Sequence, residues 1–218
     1  MPPDERTVYL VRHAQSQQNV ATAKLAGGNI TALADLIMLG YDAPLSSEGE
    51  MQLQTAAVSL KDFAQQQGVA LVAHSPYQRA VHTARAVFPA QTQRMVELPS
   101  LHERTISEYF CPWLLDARVA AVRQWLDGRE EKVIALVGHG QFFKRCLGAR
   151  GVQPNVAIVQ TVYSAQGGFK PKEGATECRR GRPSPPDAGE VEAPDHTKNA
   201  EAQRYDLPLV FEGFGGPR

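Results

Sequence analysis

Over the first 165 residues, short runs of consecutive apolar residues alternate with stretches of helical periodicity. The runs are Val8–Val11, Val69–Ala73, Met95–Leu98, Val133–Val137 and Val156–Val159. Each is four or five residues long and, apart from Glu97 in Met95–Leu98, unbroken by charge, the pattern of a strand buried on both faces. Between them, Leu53, Ala56, Leu60 and Phe63 recur at helical spacing to about Gln67, with Gly68 as the stop. Ser47 and Glu50 have the spacing of a capping box at the start of that helix. A second helix is predicted from Pro76 to about Val87, a third over Val119–Leu126 before Gly128, and a fourth from Gly140 through Leu147. Strands alternating with helices predict an α/β domain, a three-layer α/β/α sandwich around a mostly parallel sheet.

The pattern stops after residue 165. From Gln166 to Ala200 there are five prolines and five glycines, with Phe169 and Val191 as the only large apolar side chains. Such a segment buries too little apolar surface to offset its ordering entropy. The expected organisation is therefore a catalytic domain over 1–165, a disordered Pro/Gly-rich linker over 166–204, and an apolar end over 205–218. Tyr205–Phe211 could dock on the domain, with Pro208 restricting it to a sheet edge.

Composition narrows the function classes. Hydrophobic residues make up 43% of the 218, enough for a real core. Lys+Arg and Asp+Glu are both 23, so the formal net charge is zero, which argues against broad binding to nucleic acid or an anionic membrane. Arg-Gly-Arg-Pro at 180–183 resembles the core of a minor-groove reader, but the acids at Asp187, Glu190, Glu192 and Asp195 favour a solvated linker. Three cysteines cannot all pair and none forms Cys-x-x-Cys, so neither a disulfide framework nor a cysteine zinc site is expected. The first six residues lack the basic-then-apolar run of a signal peptide, and the expected setting is cytoplasmic.

Chemistry gathers where the predicted strands end, the place where open α/β sheets carry their ligands. Arg12-His13 follows the first strand, His74-Ser75-Pro76 the second with Arg79 one turn into its helix, and Gly138-His139-Gly140 the Val133–Val137 strand. Two arginines at one edge repel unless an anion joins them, and guanidinium forks match phosphate oxygens. A histidine between them is kept neutral and hence nucleophilic. The residues alone therefore suggest phosphoryl transfer through a phosphohistidine.

These residues also carry a family resemblance. Leu10-Val11-Arg12-His13-Ala14-Gln15-Ser16, Asn19, Asp42-Ala43-Pro44-Leu45, Ser75–Ala84 with Arg79, Leu101-His102-Glu103 and Val137-Gly138-His139-Gly140 occur in the order of the histidine phosphatase superfamily's motifs. Over roughly residues 6–163 the chain resembles that superfamily, whose fold is phosphoglycerate mutase-like. The resemblance implies that His13 is the phosphorylated nucleophile and that Arg12, Arg79 and His139 bind the phosphoryl oxygens. It implies polar contacts from Ser16 and Asn19, and Glu103 as general acid and base, with no metal and no cofactor. Glu108 is the alternative acid, because the motif after Arg104 is irregular. Ala14 stands where the signature usually has Gly.

The expected substrate is a small phosphate ester, with a phosphoprotein not excluded. Only 29 residues separate Glu103 from Val133, too few for the long substrate-wrapping insertion of the mutases, so a phosphatase is preferred over mutase-type transfer or a non-catalytic phosphate-binding module. Ala21–Tyr41, with Ile30, Leu33 and Ile37, is a candidate lid, and Tyr109, Phe110 and Trp113 are candidate substrate contacts.

Overall fold

The computed structural model describes residues 5–89 and 94–172, together with the backbone strand Leu209–Phe211. The N-terminal strand β1 (Arg6–Arg12) lies centrally in one sheet. On one side it pairs in parallel with β4 (Val133–Gly138), which is followed outward by β2 (Leu71–His74) and β3 (Arg94–Glu97), all parallel. On its other side β1 pairs antiparallel with β5 (Ile158–Ser164). The far edge of β5 carries β6 (Gly168–Pro171) and β7 (Leu209–Phe211), both antiparallel.

Alternation along the strands builds a core on each face. Tyr9, Val11, Val72, Ala135 and Val137 pack against helices α3 (Ser47–Ser59) and α5 (Gln78–Val87) through Ala56, Leu60, Ala80 and Ala84. Val8, Leu10, Leu71, Ala73, Ile134 and Leu136 pack against α7 (Pro112–Asp127) and α8 (Gly140–Leu147) through Leu115, Val122, Leu126, Phe142 and Phe143. This is the three-layer α/β/α arrangement with a mostly parallel sheet.

Several boundaries differ from those the sequence predicts. The sheet runs past residue 165: Gly167 N–H donates to Ser164 Oγ (3.0 Å), Gly168 takes a φ of 65°, and the chain returns as β6 with Phe169 buried against Tyr163. A composition average over 35 residues hid one hairpin. Most of the expected linker, and residues 205–208 and 212–218, lie outside the described residues, as does the Arg-Gly-Arg-Pro segment. β5 begins at Ile158, two residues late, because Val156 holds a φ of 60° and gives its N–H to Arg12 O (3.0 Å). The cap of α3 is Ser46, whose Oγ accepts from Gly49 N (3.1 Å), and not Ser47 with Glu50. Ser46 is held there by Gln15, through Gln15 O to its N–H (3.0 Å) and Gln15 Oε1 to its hydroxyl (2.7 Å). A Cβ at Gly49 would fall 1.9 Å from Gln15 O, so this helix start can meet the loop after β1 only as glycine.

The predicted helix to Gln67 breaks at Leu60 and resumes as α4 (Phe63–Gln66). Pro76 precedes the cap of α5, Tyr77, and so lies outside the first turn. Helix α7 starts seven residues before Val119, with Pro112 in its first turn; exposed Trp113 and Leu114 blurred its apolar face.

Candidate active site

Register brings the strand ends level. Arg12 is opposite Gly138 across β1 and β4, and His74 is opposite Val137 across β2 and β4. His13 is the first residue past β1. Its N–H donates to Gly138 O (2.9 Å), and its carbonyl accepts from Asn155 Nδ2 (2.8 Å). Its Nδ1 is 2.6 Å from Ala14 O, which can only accept. Nδ1 therefore carries the proton, and the lone pair is on Nε2. Burial, then the charges of Arg79 and Arg12, hold its pKa well below the ordinary histidine value. The imidazole is held neutral, with its lone pair on Nε2.

Arg79 is 1% exposed, at the start of α5. One guanidinium nitrogen donates to Tyr41 O (2.7 Å), its Nε is buried without a partner, and its charge lies 4.9 Å from the Tyr77 ring. Arg12 donates to Gln153 O (2.6 Å). A Cβ at Gly140 would meet Arg12 Nε at 3.1 Å and Val152 at 2.2 Å, so the start of α8 approaches this arginine only as glycine.

His139 caps α8 and is fully buried, its ring centroid 4.9 Å from that of His13. Its Nε2 meets Ser75 Oγ at 2.8 Å. Ser75 Oγ also accepts from Tyr77 N–H (3.3 Å), and its hydroxyl can donate to or accept from His139 Nε2 according to the tautomer. The other ring nitrogen, Nδ1, is buried, has no hydrogen-bond partner and lies 3.9 Å from Glu103 Oε2. Burial, then His13 and Arg79, keep His139 neutral.

Glu103 follows the short turn Pro99–Leu101, and its Oε1 accepts from Arg104 N–H (2.8 Å). Burial raises its pKa, against that hydrogen bond and the pull of Arg12 and Arg79. One ligand atom each from His13, Glu103 and His139 lie within 4.8 Å of one another. Such a trio has donor types that suit a divalent metal. Here, however, the guanidiniums of Arg12 and Arg79 act on the same pocket, and their charge favours an anion.

The structure thus brings together Arg12, His13, Arg79, Glu103 and His139. Ser16 and Asn19 are engaged differently: they form the capping box of α1 (Gln17–Ala26), with Ser16 N–H donating to Asn19 Oδ1 (3.0 Å) and Asn19 N–H to Ser16 Oγ (3.3 Å). Their oxygens are used by the helix end. Ser75, Tyr77 and Thr83 of the Ser75–Ala84 motif position the site, and Gln153 and Arg118, which the sequence does not single out, do so too. Thr83 Oγ1 receives Ala14 N–H (2.9 Å) and donates to Arg79 O (2.7 Å), tying the loop after β1 to α5. Nothing local in the sequence marks Arg118, which lies mid-helix in α7.

Glu108, the alternative acid, is paired instead. Both its oxygens meet the Arg118 guanidinium at 2.7 Å, and Oε2 accepts from Thr105 N–H to cap α6 (Ile106–Phe110). Burial would raise its pKa, but the Arg118 fork and Thr105 outweigh it and hold the carboxyl at about 2. A folded-state pKa below the unfolded value contributes stability above pH ~4.3 that is lost as pH falls toward the folded value. Glu108→Gln is accordingly expected to lower stability at neutral pH by about 3 kcal/mol. It should also flatten the acid limb between about pH 4.5 and 2, read by denaturant midpoints against pH. An unchanged limb would remove Glu108 from this role.

The candidate lid folds as α1 and α2 (Ala32–Leu39), which pack on each other. Ile30, Ile37 and Met38 face solvent, and only Tyr41, through its carbonyl, touches the site. Tyr109, Phe110 and Trp113 are exposed on α6 and the start of α7, and His82 is exposed on α5. His74 and His102 are half-buried, each with Nδ1 on the carbonyl of the next residue.

The family described as the histidine phosphatase superfamily (branch 1) matches residues 8–109. No curated protein matches the chain. Among solved structures, mycobacterial hydrolase 1 is similar with a TM-score of 0.53 at 17% identity, over 77% of this chain and 97% of that one. A mycobacterial glucosyl-3-phosphoglycerate phosphatase in complex with VO3 is similar with a TM-score of 0.51 at 17% identity, over 77% and 97%. A candidate alpha-ribazole-5'-P phosphatase from Escherichia coli str. K-12 gives 0.51 at 17% identity, over 77% and 94%. These likenesses share the fold.

Proposed function

Residues 8–109 match the histidine phosphatase superfamily, and from that premise we propose that the chain hydrolyses phosphomonoesters through a phosphohistidine on His13. The observation that carries this reading is the convergence on one pocket of a lone pair on His13 Nε2, two arginines, the Nδ1 of His139 and the recessed carboxyl of Glu103. In the first step Nε2 attacks phosphorus and the ester P–O bond breaks. Glu103, protonated by virtue of its burial, gives its proton to the departing alkoxide. Arg12, Arg79 and His139 hold the phosphoryl oxygens as charge moves. In the second step the Glu103 carboxylate takes a proton from water, which attacks the phosphohistidine. Inorganic phosphate leaves, and His13 and protonated Glu103 are restored.

Hydrolysis is favoured over mutase transfer because the chain between Glu103 and Val133 is taken up by α6 and α7. The same reading places the protein in the reducing cytoplasm, supported by free Cys111 and Cys146. Among the described residues no helix is long and apolar enough to cross a membrane.

The test is turnover of p-nitrophenyl phosphate in EDTA, with and without orthovanadate, then a panel of alkyl and sugar phosphates. Metal-free turnover blocked by vanadate is expected; no turnover of any ester would overturn the reading. The productive state needs His13 neutral and Glu103 protonated. Since the His13 pKa is lowered and the Glu103 pKa raised, kcat/KM on alkyl phosphates should show no loss from protonation of His13 near the ordinary histidine value, and it should fall as pH rises through the raised pKa of Glu103.

A further inference from the structure

Arg118 lies mid-helix in α7, its side chain 9% exposed and its guanidinium engaged on two sides. Nε and one terminal nitrogen each donate to an oxygen of Glu108 at 2.7 Å. The other terminal nitrogen donates to Ser100 O (3.1 Å) and to His102 O. Ser100 and His102 precede Glu103 in the chain, and Glu108 follows it. One rigid planar group therefore grips the chain on both sides of Glu103.

Glu103 has little else to fix it from afar. The hydrogen bonds of residues 103–107 lie within residues 102–111: His102 Nδ1 on Glu103 O (2.7 Å), Arg104 N–H on Glu103 Oε1 (2.8 Å) and an Arg104 guanidinium nitrogen on Glu108 O (2.9 Å) among them. The cap of α6 does not need Arg118 either, since Thr105 and Glu108 satisfy each other's N–H groups. What Arg118 adds is the tie between this segment and the domain.

The same guanidinium rests on the helix that carries His139. Its central carbon is 4.6 Å from the centroid of the Phe142 ring, and Phe142 is three residues past His139 on α8. Glu103 Oε2 and His139 Nδ1 are 3.9 Å apart. A general acid must be within hydrogen-bond reach of the departing oxygen, and a misplacement of about 1 Å can cost about 10²-fold.

We propose that Arg118 is a positioning residue for the leaving-group acid: with Glu108 it clamps residues 100–108 and so sets where the Glu103 carboxyl stands relative to His13 and His139. The proposal rests on the reading of Glu103 as that acid.

The test uses the full chain with Arg118→Met and Glu108→Gln together. Removing one partner strands the other's buried charge; removing both does not, and glutamine at 108 keeps the capping box. On an alkyl phosphate kcat/KM is expected to fall about 30-fold or more, and on p-nitrophenyl phosphate, whose leaving group needs no proton, less than about fivefold. In a Glu103→Gln background the same pair should cost less than about threefold on the alkyl ester, because its effect passes through Glu103. A purely structural role would lower both esters equally and add in full to Glu103→Gln; either result would overturn the proposal. A third readout needs no turnover. Amide hydrogen exchange at Arg104, whose N–H is on the Glu103 carboxyl, should accelerate about tenfold or more while the amides of β1 and β4 keep their protection. Unchanged exchange at Arg104 would overturn the clamp. Failure of the acid reading has a different signature: Glu103→Gln would leave the alkyl-to-aryl ratio as in the wild type, or no ester would turn over, while the exchange difference at Arg104 remained.

Discussion

His13→Ala is expected to leave turnover roughly 10⁴-fold or more below wild type on every phosphomonoester, because it removes the atom to which phosphorus is transferred. The loss should appear in kcat, since Arg12, Arg79 and His139 still bind the phosphoryl oxygens. The fold should survive. The His13 side chain makes one hydrogen bond, to the adjacent Ala14 carbonyl, while its backbone remains held by Gly138 and Asn155. Acid-labile, alkali-stable phosphate should be trapped on the wild type after rapid mixing and be absent from the variant. A variant within tenfold of wild type, or one that still traps such phosphate, would remove His13 as the nucleophile.

Glu103→Gln should separate the two halves of the reaction. Glutamine keeps the size of the side chain and can still accept from Arg104 N–H, but it has no proton to give or take. On alkyl phosphates, whose alkoxides depart poorly, kcat is expected to fall by about 10²–10⁴. On p-nitrophenyl phosphate the first step needs little acid assistance, so a burst of nitrophenolate should precede slow turnover as phosphohistidine accumulates. KM should fall on p-nitrophenyl phosphate, because phosphohistidine accumulates ahead of the slow second step. Equal kcat losses on both esters without a burst would make Glu103 a positioning residue and would return the search for an acid to the rest of the pocket. Glu108 is not its replacement, since its pKa of about 2 keeps it ionised in the Arg118 fork.

Much of this architecture is legible in the chain. Val8–Val11 and Val133–Val137 read as strands because a sheet covered on both faces needs unbroken apolar runs, and such runs are local. Arg12-His13 and Gly138-His139-Gly140 read as site residues because they follow those runs directly, where helix and sheet leave side chains open. Nothing more than register was needed to bring them together. The elements misplaced are those whose local signal is weak or averaged away. Phe169 is one buried residue in a Pro/Gly-rich segment, and the first turn of α7 exposes Trp113 and Leu114.

The sequence by itself determined the alternation of strands and helices, and it pointed to Arg12, His13, Arg79, Glu103 and His139 as candidate site residues. Their working state was decided by contacts between residues far apart in the chain. The orientation of His139 depends on Ser75, 64 positions away, and the placement of Arg79 on the carbonyl of Tyr41, 38 away. Asn155 steadies the His13 carbonyl from 142 away, and Arg118 claims Glu108, leaving Glu103 as the proposed acid. Ser16 and Asn19 match the family's motif, yet their oxygens turn to a helix capping box between residues three apart. A hydrogen bond depends on distance and angle, and a pKa on burial and on the charges around it. Neither quantity exists along a one-dimensional chain until the sheet has set which distant residues meet.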